Sequence, residues 1–149
     1  MRIIGTILIT AVLAAPLSAE SISRELGVSA HVVGRTLLTM GARPSTITVT
    51  AADVSRGYLD LPRAVGFQIR SNVREGYLVR FDALPEPFAR AHVRWQQVHV
   101  VVGGGQEAWV AQPYLKGGQA VEADVRLELS QSTAPGTYAW PLHISAGSL

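Results

Sequence analysis

Cysteine is absent from all 149 residues. That excludes thiol catalysis, cysteine-based zinc sites, iron–sulfur clusters and any disulfide staple, so stability has to come from packing. Lysine is nearly absent too, with Lys116 alone among thirteen basic residues. The pI of 9.4 therefore reflects arginine, which keeps its charge to very high pH, and not a large positive excess. A net charge of +2 is too small for the clustered basic face that nucleic acid requires. Catalytic signatures are missing as well. There is no Gly-x-Ser-x-Gly elbow, no His-Glu-x-x-His and no phosphate loop ending in Gly-Lys. Carboxylates are scattered and not paired, so neither an enzyme nor a cofactor is expected. The sequence also offers no long amphipathic helix, no heptads and no internal repeat.

What is present begins with Met1-Arg2, an apolar run from Ile3 to Leu17, and the small residues Ser18-Ala19. This is the pattern of a secretory signal peptide, and the run falls short of the roughly 20 residues that span a bilayer. The reading is a signal over residues 1–19, a single domain over 20–149, and a location in the periplasm or at the cell surface. Without a cysteine at the cleavage site, a lipid anchor is excluded.

The rest alternates apolar and polar residues in short runs, as half-buried strands do. Leu26, Val28, Ala30 and Val32 line one face of a first strand, and Ile47 and Val49 a second. Ala51 to Gly57 reads as a turn, and Tyr58–Leu61 as a short strand ended by Pro62. Val65, Phe67 and Ile69 lead through a hairpin connection, with Gly76 at a positive φ, to Tyr77, Val79 and Phe81. After Pro85-Glu86-Pro87 come Ala89, Ala91, Val93 and Trp95, then Val98 to Val102. Gly103-Gly104-Gly105 turns into Ala108 to Ala111. Val121 to Leu129 is the clearest strand, and Tyr138, Trp140, Leu142 and Ile144 make the last. Eight or nine strands at this spacing predict an all-β, immunoglobulin-like sandwich of antiparallel strands.

Leu26-Gly27-Val28-Ser29-Ala30-His31-Val32-Val33 resembles the first strand of the bacterial spore coat protein U domain, found in subunits of archaic chaperone–usher pili. Ser132-Thr133-Ala134-Pro135-Gly136-Thr137-Tyr138, with the strand to Ile144, resembles that domain's last hairpin. The resemblance implies an exported subunit that associates by β-strand addition. The family carries a cysteine shortly after its first strand, where this chain has Arg35 and Thr36. A donor strand must offer several alternating apolar side chains, and ahead of Leu26 only Ile22 does. Either Leu26–Val33 opens the domain, or the segment 22–32 is the donor and Leu37-Leu38 opens it.

Two sets of residues are candidates for binding. Leu26, Val28, Ala30 and Val32, on a strand charged only at His31, would pair with a protein partner or a second copy. Alternatively, Arg80, Arg90 and Arg94, outward on their strands, would meet a glycan or other anionic envelope component together with Trp109, which is out of phase with Ala108 and Val110. The simpler account pairs those arginines with Glu122, Asp124 and Glu128 across neighbouring strands. Trp95 and Trp140 fall in phase with core residues. His92 and His99 lie an odd number apart and point to opposite faces of a straight strand, so no metal site is expected.

Overall fold

The computed structural model describes residues 29, 30 and 32–149. The expected signal over 1–19, together with Leu26 and Val28, lies outside the described residues. Val32–Leu149 is one compact unit, and it is an all-β sandwich. Ten strands follow in order: β1 (Thr36–Met40), β2 (Thr46–Val49), β3 (Tyr58–Ser71), β4 (Tyr77–Phe81), β5 (Phe88–Trp95), β6 (Val98–Gly103), β7 (Ala108–Gln112), β8 (Gln119–Leu129), β9 (Gly136–Ala139) and β10 (Ile144–Ser148). A short helix, α1 (Ala51–Arg56), lies between β2 and β3.

All the strand pairings are antiparallel. They build a five-stranded sheet of order β1-β3-β8-β5-β6, a three-stranded sheet β10-β4-β7, and a two-stranded ribbon β2-β9. Period-two patterning is what makes this a sandwich, because each strand places alternate side chains on one face. β8 shows it most cleanly: Val121, Ala123, Val125 and Leu127 are buried, while Glu122, Asp124 and Arg126 are exposed. Val65, Phe67 and Ile69 of β3 join them from the same sheet, facing Tyr77, Val79 and Phe81 of β4. The Phe81 and Trp95 rings meet across the sheets at 6.0 Å, and Phe88 meets Tyr138 edge-on at 5.8 Å. Each large side chain buried this way contributes about 1.5–3 kcal/mol, which is how a chain without disulfides holds together.

The structure departs from the sequence reading at several elements, each for a physical reason. Ala51–Arg56 is a helical turn and not an open one, because Thr50 and Asp53 form a capping box and Gly57 closes it at φ 80°. Pro62 does not end its strand: β3 runs through it, and a register shift between Leu61 and Val65 absorbs the missing donor. Ala89 is exposed and Phe88 buried in its place, because the register against β8 slips between Phe88 and Arg90. The expected last strand divides. Gly136–Ala139 pairs with β2, the chain crosses at Trp140–His143, and Ile144–Ser148 pairs with β4. Trp140 is buried in that crossing, its Nε1 donating to the Leu142 carbonyl at 2.8 Å.

The first strand is also displaced. Ala30, Val32 and Val33 lie outside any ladder and are exposed, and the first described strand is Thr36–Met40. Leu37 and Leu38 lie within that strand. Asn72 anchors the approach to β1. Its Oδ1 accepts from the Arg35 N–H at 2.5 Å, and its Nδ2 donates to the Val33 carbonyl at 2.9 Å.

Candidate functional site

The candidate arginines separate onto two sheets. Arg80 lies on β4, opposite Trp109 of β7, with its guanidinium 5.4 Å from the centre of the indole. It is also paired with Glu107, and its Nε sits 3.2 Å from Asp82 Oδ1. Two carboxylates therefore surround this cation. Trp109 is 54% exposed, as its phase predicts, with one ring face covered by Arg80.

Arg90 and Arg94 belong to β5, in the other sheet, opposite Glu128 and Asp124 of β8. Arg90 approaches Glu128 at 3.9 Å. The acidic and basic positions thus alternate across one ladder as cross-strand partners, an arrangement that contributes at most about 1 kcal/mol per exposed pair. Arg80, Arg90, Arg94 and Trp109 do not form one cationic platform. Inward and outward phase can be read along a strand, but which sheet a strand joins depends on long-range pairing.

The outer face of β3, β5, β6 and β8 does assemble a polar cluster. Arg126 donates to Asp60 from Nε and Nη2, at 2.6 and 3.1 Å, and lies 4.4 Å from the centre of the Tyr58 ring. The hydrogen bond from Arg126 holds the Asp60 carboxyl below the usual carboxylate range. A depression of about 280 Å³ beside this pair is lined by Asp60, Pro62, His92, Arg94, Asp124 and Arg126. His92 Nε2 stands 2.8 Å from Glu128 Oε1, and His92 Nδ1 stands 3.3 Å from His99 Nε2. The two ring planes lie within 19° of each other with their centres 5.5 Å apart, so the rings meet edge to edge through these nitrogens.

His92 and His99 therefore share a face, against the expectation of opposite ones. The strand does not run straight between them. Trp95 pairs with Val98 around a two-residue loop, so His99 lies opposite Arg94, which is two residues from His92. Reversal at the hairpin inverts the parity that a straight strand would give. The signal was legible as a β-branched run following Gln96-Gln97, once those two residues are taken as the loop.

A third feature is the corner where β1 and β10 meet. Among the described residues, both are edge strands of their sheets, and Thr36 Oγ1 lies 3.5 Å from Ser148 Oγ. The Asn72 N–H bonds to the Arg35 carbonyl, and the Asp82 N–H to the His143 carbonyl. By antiparallel alternation, the backbone groups of Thr36, Leu38 and Met40, and those of Ile144, Ala146 and Ser148, point away from their ladders. Exposed Val32, Val33 and Leu37 sit on the β1 side.

Among the described residues no helix is long and apolar enough to cross a membrane. Comparison with protein-family models, with curated proteins and with solved structures finds no match to this chain.

Proposed function

We propose that this protein is an exported component of the bacterial envelope that associates with protein partners, or with copies of itself, by β-strand addition. A pilus-like or surface-assembly subunit is the form suggested by its resemblance to the spore coat protein U domain. The observation that supports this reading most directly is the β1–β10 corner. Among the described residues, two edge strands from different sheets direct the backbone N–H and C=O groups of six residues away from their ladders. An extended segment laid along either edge would satisfy those groups and add a strand. Next to the corner, Val32 and Val33 are 77% and 71% exposed. They end the apolar segment that begins at Leu26 and supply the side chains such a strand carries, with Leu26, Val28, Ala30 and Val32 as its alternating set.

Electrophoresis of the protein from its native envelope, with and without boiling, tests this reading. A heat-sensitive ladder at multiples of the subunit is the expected result, because strand-added contacts bury a full ladder of hydrogen bonds and survive mild detergent. A single monomer band under both conditions would remove it.

A further inference from the structure

We propose that His92 and His99 form a binding site for a tetrahedral divalent metal ion of the zinc class on the outer face of the five-stranded sheet, with Glu128 holding His92 in the ligating tautomer. The inference is independent of strand addition and rests on three observations. The first is the bite. His92 Nδ1 and His99 Nε2 are 3.3 Å apart. Two bonds of about 2.0–2.1 Å, the usual zinc–imidazole length, would span that gap at roughly 107°, close to the tetrahedral angle. A right-angled, square-planar arrangement at the same bond length needs the nitrogens nearer ~2.9 Å.

The second observation is the tautomer. Glu128, as a carboxylate, can only accept, so the His92 nitrogen facing it at 2.8 Å carries the proton. With its proton on that nitrogen, the His92 ring turns Nδ1 toward His99 as the free ligand position. A carboxylate behind a ligating histidine is the usual outer-shell support of a metal site, since it orients the ring and raises its basicity. The two facing nitrogens are within hydrogen-bond distance of each other, and an ion would take the place of the proton between them.

The third is access and charge. His92 is only partly covered and His99 is exposed, so an ion reaches both nitrogens from solvent. Of the three neighbouring arginines, Arg126 is engaged by Asp60, Arg90 by Glu128, and Arg94 faces Asp124 across the ladder. Among the described residues no trio of His, Asp and Glu converges, so the protein supplies two ligands. The remaining positions fall to water or to a side chain of another molecule docked on this face.

The test is calorimetric titration of the untagged protein with zinc chloride in a non-coordinating buffer. One equivalent is expected to bind. His92→Asn and His99→Asn should each weaken binding at least tenfold, and Glu128→Gln by about 10–100-fold. All three are surface changes, so circular dichroism should stay unchanged, separating lost ligands from lost fold. Cobalt substituted for zinc reads the geometry: strong visible absorption marks a tetrahedral site, and faint absorption would contradict it. The proposal is overturned if no zinc binds up to ~1 mM. It is equally overturned if binding persists in the His92→Asn/His99→Asn double variant and is lost in His31→Asn or His143→Asn.

Discussion

At the scale of single residues, the densest local network is the helix cap. The Asp53 carboxylate accepts from the Thr50 backbone N–H at 2.9 Å and the Thr50 hydroxyl at 2.6 Å, and pairs with Arg56. The Thr50 oxygen accepts from the Asp53 N–H in return at 3.2 Å. The Thr50 hydrogen bonds lower the Asp53 pKa, against a desolvation that would raise it. A carboxyl with a depressed folded pKa stabilises the fold above its unfolded value, about pH 4. That contribution disappears as pH falls through the folded value. Denaturant unfolding at pH 7 and pH 3 should therefore show a smaller acid loss in Asp53→Asn than in the unaltered protein. An identical loss in the two would dissociate the cap from acid stability. Thr50→Ala should lower stability by about 1 kcal/mol at pH 7, the usual effect of removing a cap. The Thr-x-x-Asp spacing stood in the sequence, but six residues are too few to display helical periodicity, so the segment read as a turn.

Among the elements, strand existence was easy to read and strand extent was not. The alternation of Val121 to Leu129 reports its own burial, because one face of a strand either packs or does not. Register slips depend on the neighbour, and Pro62 and Ala89 show this: whether a strand breaks or bulges is decided by the partner's hydrogen bonds, which no local pattern carries. Glycine gives a sharper test. Gly76 has φ 114°, and a Cβ there would lie 2.5 Å from the Gln112 carbonyl oxygen of the adjoining β7. Gly57 has φ 80° with open space around it. Gly57→Ala should cost about 1 kcal/mol, the left-handed penalty alone, and Gly76→Ala about 2 kcal/mol or more, since backbone must also shift. Urea unfolding of the two variants settles the order. A Gly57 variant as damaged as the Gly76 one would mean that close approach to β7 is not what demands glycine.

For the whole molecule, association turns on edges and not on any one side chain. Ala146 directs its N–H to the side of β10 away from β4, where no strand pairs among the described residues, whereas Ser145 lies within the ladder to β4. Ala146→Pro should therefore abolish heat-sensitive oligomers while leaving the monomer folded, because it removes a donor that the β4 ladder does not use. Ser145→Pro should unfold or severely weaken the monomer by breaking a bond inside the sheet. Unboiled gel mobility together with the thermal midpoint of each variant distinguishes the two effects. If Ala146→Pro left a ladder intact, the added strand would have to dock elsewhere than on β10.

The sequence by itself determined that this is an all-β chain with a core that needs no disulfide, that Trp95 and Trp140 are buried and that Trp109 is not. Those properties follow from period-two alternation and composition, which are local. Only the tertiary structure decided that Arg80 sits on a different sheet from Arg90 and Arg94, that each lies among carboxylates, and that His92 and His99 meet. It also decided that β1 and β10 share a corner. All of these depend on which strands pair and in what register, a choice made by long-range backbone hydrogen bonds and the fit of two sheets around one core, and alternation along a strand says nothing about either.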